Sequence, residues 1–145
     1  MEKIKIKIEQ VDKDLPLPRF ATEGSVAVDL YSAESLTLNP GEFRSISTGI
    51  KVAIPSGYEG QIRPRSGLAV KQGISIVNTP GTIDSDYRGL LYIIAINHGP
   101  NYFHVKKGDR IAQLVINKVE LFEWDVTEKL GETERGEGGL GHTGV

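Results

Sequence analysis

The chain contains no cysteine, one methionine and one tryptophan in 145 residues. Without cysteine there is no disulfide framework, no thiolate-held zinc or iron–sulfur cluster, and no thiol nucleophile. No segment approaches the roughly 18 continuous apolar residues of a membrane-spanning helix. The opening "MEKIKIKIEQ" alternates charge with isoleucine instead of presenting an apolar targeting block, so a cytoplasmic protein that avoids membranes is expected. Excess charge is missing too. Seventeen Lys and Arg against nineteen Asp and Glu leave a net charge of −2, which gives no global attraction to nucleic acid or an anionic membrane. Aromatic residues make up only 7%, and no basic surface with interleaved aromatics points to a nucleic-acid-binding barrel.

What is present is apolar alternation broken by turns. Ile4, Ile6 and Ile8 alternate with Lys3, Lys5 and Lys7, the period of a half-buried strand. "SVAVDLYSA" (25–33), "EFRSISTGIKVAI" (42–54), "YEGQIRPR" (58–65), "GISIVNT", "LLYIIAIN" and "RIAQLVINKVELFEWDV" continue the pattern. Turn chemistry such as "NPGE" and "PSG" separates the strand candidates. Only "SGLAVKQG" (66–73) reads as a helix, about two turns ending at Gly73 in a left-handed cap. No βαβ alternation supports a parallel doubly wound sheet. The expectation is an all-β sandwich or jelly roll with one short helix, over residues 1–125. Residues 126–145 are polar and glycine-rich. They read either as a frayed tail or as a strap that orders over a ligand or a neighbouring subunit.

Several stretches carry chemistry beyond structure. "GTIDSDYRG" (81–89) holds two carboxylates, a phenol and a guanidinium between apolar strands, more than a hairpin turn requires. Asp84 and Asp86 share a face if that backbone is extended. In "RPRSGLA", Arg65 precedes Ser66 and Gly67 at the helix start, where free N–H groups suit a phosphate; Ser66 can equally cap the helix. Gln113 is a polar residue in the apolar run "RIAQLVI", either facing outward or bonding a ligand, while Asp109 and Arg110 can pair with each other or a neighbour. "GEGGLG" (136–141) matches the dinucleotide fingerprint by letter, but it follows no strand, opens no helix and is followed by four residues. It is not a Rossmann site. Its glycines instead free N–H groups to surround anionic oxygens, with Arg135, His142 and Thr143 beside them. His98, His104 and His142 show no metal-ligand spacing.

Together these blocks resemble the trimeric dUTP pyrophosphatase (dUTPase) family. "AVDLYSA" (27–33), "PRSGLA" (64–69), "GTIDSDYRG" (81–89), "GDRIAQLV" (108–115) and "RGEGGLGHTG" (135–144) occur in the family's order. The resemblance implies a homotrimer of distorted β-barrel or jelly-roll subunits, with three active sites shared between them. It also implies Mg²⁺ and hydrolysis of dUTP to dUMP and pyrophosphate, which keeps uracil out of DNA and supplies dUMP for thymidylate synthesis. By the same resemblance, Asp84 is the general base for a water attacking the α-phosphorus, and Tyr87 packs on the deoxyribose. Asn78, Gly81, Thr82 and Ile83 read uracil, and Arg65, Ser66, Gly67 and Gln113 hold the triphosphate. Asp29 holds Mg²⁺ through water, and Arg135, Leu140, Gly141, His142 and Thr143 close over the nucleotide. Two positions depart from the family pattern: Leu140 stands where an aromatic usually stacks on uracil, and Ala27 where a glycine is common. Two other readings belong to the same fold. A dCTP deaminase or bifunctional enzyme needs a Glu where this chain has Arg88, and a non-catalytic nucleotide-sensing trimer would not be expected to keep the whole residue set.

Overall fold

Alternation along "LLYIIAIN" turns Leu91, Ile93 and Ala95 to one side of a strand, where they are buried, and leaves Tyr92 exposed on the other. The same period of two recurs through a computed structural model that describes residues 1–145. Its strands are β1 (Lys7–Gln10), β2 (Ala27–Tyr31), β3 (Leu36–Leu38), β4 (Phe43–Ala53), β5 (Tyr58–Arg63), β6 (Ile74–Ile76), β7 (Gly81–Ile83), β8 (Leu90–Asn97), β9 (Phe103–Val105) and β10 (Arg110–Lys118). The one helix, α1, covers Ser66–Gln72. One four-stranded sheet has the order β1-β4-β8-β6, another β2-β10-β5-β7, and β3 pairs β9 in a two-stranded ribbon. All pairings are antiparallel. Leu30, Ile46, Ile62, Leu91, Ile93, Ile111 and Leu114 contribute to one cluster of 17 buried apolar residues drawn from both sheets. This is the expected all-β architecture with a single short helix.

Differences from the expected strands have local causes. The N-terminal strand begins at Lys7, not at Ile4, and it lies at a sheet edge. Only Ile6 of the three isoleucines packs against the core, while Ile4 and Ile8 stay exposed. β10 stops at Lys118; Val119 N–H still reaches Gly57 O at 2.9 Å, after which the chain leaves the body. Leu121, Phe122 and Trp124 therefore extend no strand, although Phe122 and Trp124 are spaced like residues on one strand face. The helix ends as expected: Gly73, at φ 70°, donates to Ala69 O at 3.0 Å, a conformation that only glycine adopts without strain. Its start differs. Arg65 occupies the N-cap with no side-chain cap bond, so Ser66 is the first helical residue and not the cap.

A second glycine ties the N-terminal loop to the sheet. Gly49 (φ 70°) sits where β4 breaks register between Ser47 and Lys51, and its carbonyl accepts the N–H of both Val11 and Asp12 at 2.9 Å. That loop holds Lys107, with Asp12 at 2.9 Å and Asp14 at 3.4 Å. The Lys107 hydrogen bond, helped by the backbone N–H of Asp14, holds the Asp12 carboxyl below its ordinary value, and the same bond to Asp12 raises Lys107. A depressed acid adds stability above its unfolded value that is lost on acidification below about pH 4. A raised lysine adds stability below about pH 10.4 that is lost as pH rises through its folded value. Lys107→Met is therefore expected to lower the thermal midpoint across the neutral range. Melting curves of variant and wild type should converge below pH 4.

Candidate active site

The outer face of the second sheet is polar where its inner face is core. Asp29 on β2, Gln113 on β10 and Arg63 on β5 stand directly opposite one another in register, so their side chains share a face. Asp29 is the hub. Its Oδ1 lies 3.2 Å from Arg65 Nε and its Oδ2 3.3 Å from Arg110 Nη1. Arg65 Nη1 also donates to Arg110 O at 2.7 Å. Gln113 donates Nε2 to Pro64 O at 3.0 Å and so pins the chain just before Arg65. In α1 the first intrahelical bond is Ala69 N–H to Arg65 O. The N–H groups of Ser66, Gly67 and Leu68 thus precede the helical ladder and remain available. Ser66 and Gly67 are exposed, while Arg65 and Gln113 are half-buried.

β7 carries the hairpin. It pairs β5 alone, through Gly60–Ile83, Gln61–Thr82 and Ile62–Gly81, so its other edge presents unpaired backbone groups. Asn78 packs on Gly81, its Nδ2 within 3.3 Å of where a Cβ would stand. Asp84 lies just beyond the strand in a turn closed by Tyr87 N–H to Asp84 O (3.2 Å). The extended backbone that would put Asp84 and Asp86 on one face is therefore absent. Asp84 is exposed, and its carboxylate makes no hydrogen bond or ion pair within the chain. Tyr87 donates its hydroxyl to Leu90 O at 2.8 Å, and its ring lies over Gly89, where a Cβ would collide with it. Arg88 Nη1 donates to Ser85 O (2.6 Å) and Tyr87 O (3.0 Å), bracing the turn.

These groups do not meet within one chain. Asp84 follows Ile83 by one residue on the strand three positions across the sheet from β2, and it sits four residues along from the row of Asp29, Gln113 and Arg63. At about 4.8 Å per strand and 3.4 Å per residue, the separation from Asp29 is on the order of 20 Å. The tail stands apart from both. Every residue from 120 on is exposed except the half-buried Gly138, and Leu140 is fully exposed. The tail is nonetheless turned: Arg135 Nε donates to Gly138 O at 2.7 Å, His142 N–H to Gly139 O at 2.9 Å, and Gly144 N–H to Gly141 O at 3.0 Å. The His142 ring occupies the space a Gly138 side chain would need, which brings His142 and Arg135 to the same glycine.

Sequence reasoning left two residues of this face unassigned. Arg110 pairs with Asp29, not Asp109; Asp109 Oδ2 instead accepts Lys106 N–H at 2.8 Å. Cross-strand register decides this, and one sequence does not contain it. Arg63 carries a visible signal that went unread: with Gln61 it alternates against Gly60 and Ile62 in β5, marking the polar face.

An all-β fold that gathers two arginines and a glutamine amide beside one carboxylate, next to the unpaired N–H groups that open α1, has the donor set of a protein that binds polyphosphate anions. Comparison makes the class specific. The dUTPase family model matches residues 13–144. A Dictyoglomus turgidum protein named deoxyuridine 5′-triphosphate nucleotidohydrolase is 51% identical over 98% of this chain and 99% of its own. A Wolbachia protein of the same name is 52% identical over 98% of this chain and 95% of its own. Among solved structures, a point mutant of the Staphylococcus bacteriophage 80alpha dUTPase with dUpNHpp superposes with a TM-score of 0.90, at 28% identity, over 99% of this chain and 100% of that one. A point mutant of the dUTPase from phage phi11 of S. aureus, described with a structural Mg(II) ion, gives 0.81 at 25% identity over 88% and 99%. The chain belongs to the dUTPase family.

Proposed function

We propose that this protein hydrolyses dUTP to dUMP and pyrophosphate at sites assembled between copies of the chain in a homotrimer. The observation that carries the reading is the free, exposed carboxylate of Asp84, held on a braced turn on the order of 20 Å from the donor cluster of its own chain. A second copy that brings its hairpin to that cluster completes a site which one chain leaves open. Exposed apolar surface supports association. Leu121 and Trp124 are each 84% exposed, Phe122 stacks edge-on to Trp124 with ring centroids 5.1 Å apart, and Phe43 and Tyr92 lie exposed on the first sheet. A contiguous exposed pair such as Phe122 and Trp124 is the kind of apolar surface that marks an interface.

In the assembled site, Asp84 orients a water and takes its proton as the oxygen attacks the α-phosphorus; the α–β bridging oxygen leaves with pyrophosphate. The free edge of β7 at Gly81, Thr82 and Ile83, with Asn78, pairs with the polar edge of uracil. Tyr87, locked by Leu90 O and the bare Gly89, is a wall that leaves no room for a 2′-hydroxyl. Arg65, the N–H groups of Ser66 and Gly67, and Gln113 hold the triphosphate. Arg135, Gly141, His142 and Thr143 close from the tail, with Leu140 over the base.

The donor set fits Mg²⁺ in one way only. No group of three or more His, Asp or Glu side chains comes together to ligate a metal, and both Asp29 oxygens already face guanidinium groups. Asp29 would therefore hold the ion through its water shell, leaving the direct positions to phosphate oxygens, as a hard cation prefers. When bound, Mg²⁺ neutralises phosphate charge. Recognition of the base and the proton transfer belong to the protein.

The test is product analysis by anion exchange after incubation with Mg²⁺ and, separately, dUTP, UTP, dCTP or dTTP, with the molar mass measured by light scattering. Release of dUMP from dUTP alone by a trimer is expected. dUTP or dUMP from dCTP would instead mark a deaminase, and turnover by a monomer would rule out the shared site. Leu140→Phe adds the ring-to-ring component of stacking on uracil, about 0.5–1.5 kcal/mol, and should lower KM about 2- to 12-fold.

A further inference from the structure

The outer face of β5 carries a cation that the reading above does not use. Arg63 is half-buried, and none of the chain's ion pairs involves it; those belong to Arg65, Lys107 and Arg110. Its guanidinium is nevertheless fixed. Nε and Nη2 both donate to Gln61 Oε1, at 3.1 and 2.7 Å. Gln61 is oriented in turn, because its amide Nε2 donates to Glu59 Oε1 at 2.5 Å, which leaves Oε1 turned to the arginine. Glu59, Gln61 and Arg63 alternate along one strand and so lie on one face. A guanidinium has five N–H donors; two are spent on Gln61, and the other three have no acceptor within the chain.

Arg63 lines a cleft of about 510 Å³, together with Gln61, Pro64, Ser66, Thr79, Pro80 and Gln113. Two of its walls, Ser66 and Gln113, belong to the triphosphate set proposed above. Gln113 is the register partner of Arg63, which puts their Cα atoms about 5 Å apart. A rigidly held, unpaired cation beside two phosphate donors matches a planar anion oxygen pair. Arg65 differs, since part of its charge is already answered by Asp29 at 3.2 Å.

We propose that Arg63 is a further substrate-contacting residue, donating to the pyrophosphate half of the nucleotide, with Gln61 and Glu59 as the positioning residues that aim it. The proposal rests on the dUTP-hydrolysing reading of the site. The pyrophosphate half is bound in both ground and transition state, so the contact adds uniform binding and governs KM more than kcat.

Arg63→Gln and Arg63→Lys test it. The experiment measures dUTP kinetics, inhibition by dUMP, direct calorimetric binding of pyrophosphate, and molar mass by light scattering. Arg63→Gln is expected to raise KM about tenfold with kcat within twofold, and to weaken pyrophosphate binding about tenfold while dUMP inhibition stays unchanged. Arg63→Lys should recover part of that loss, as a point charge without the fork. Three results would overturn the proposal: KM and pyrophosphate affinity both within twofold of wild type, dUMP binding weakened as much as pyrophosphate binding, or a changed molar mass, which would make Arg63 a subunit contact. Wild-type protein that fails to hydrolyse dUTP would sink the underlying reading instead. Even then the calorimetric comparison of pyrophosphate binding still decides the role of Arg63.

Discussion

Asp84→Asn is expected to lower kcat for dUTP hydrolysis by about 10²–10⁴-fold, the usual contribution of a positioned general base. The change is isosteric; it removes the negative charge and, with it, the ability to take a proton. KM for dUTP should stay within a few-fold, because in the proposed site the backbone of β7 meets the uracil edge and a cluster on another copy meets the phosphates. Stability should hardly change. The Asp84 carboxylate is exposed and makes no bond in the chain, and its backbone carbonyl, which closes the turn with Tyr87 N–H, is untouched. A surface substitution of this kind falls within about 0.5 kcal/mol. The measurement is steady-state kinetics beside a thermal melt. A variant that lost stability in parallel with activity would make Asp84 structural.

Ending the chain after Asp125 is expected to lower kcat/KM by about 10²–10³-fold while the core melts where the full-length protein does. In the proposed site the cut removes Arg135, His142 and Thr143 as phosphate donors, together with the cover that would exclude water from the reacting phosphorus. No residue from 120 on is buried, and the hydrogen bonds of the tail are made within the tail, such as Arg135 to Gly138 O and His142 N–H to Gly139 O. Leu121, Phe122 and Trp124 are kept so that the exposed aromatic arm remains for subunit contact. Stopped-flow kinetics and light scattering on the same preparation separate loss of closure from loss of assembly. A truncated protein with unchanged kcat/KM would leave the tail without a role.

Much of this fold was legible because each block combines a local rule with a chemical one. Gly73 reads as a left-handed cap, and it is one. Gln113 reads as a polar exception in an apolar strand, and it sits half-buried beside the Asp29 cluster. Short or register-dependent features were not legible. β3 and β9 are three residues each, too short for periodicity to register. Phe122 and Trp124 keep the strand spacing past β10 with no partner strand in the chain. The pairing of Arg110 with Asp29 requires knowing that β10 runs antiparallel to β2. Asn97, fully buried, donates to Leu38 O and Asn101 O and accepts from Gly99 N–H. Such a pin between loops looks, in sequence, like any strand-ending Asn.

The claim that the catalytic carboxylate and the triphosphate donors come from different copies is tested most directly by mixing two inactive chains. One carries Asp84→Asn; the other carries Arg65→Ala and Gln113→Ala together. Each is denatured, combined in equal amounts and refolded, and dUTP turnover is compared with either chain alone and with wild type treated likewise. In a trimer with shared sites, each hybrid contains one site built from an intact Asp84 and an intact donor cluster, so random mixing restores about one quarter of wild-type activity. Activity no higher than that of the separate chains would place Asp84 and the donor cluster of a working site on one and the same chain.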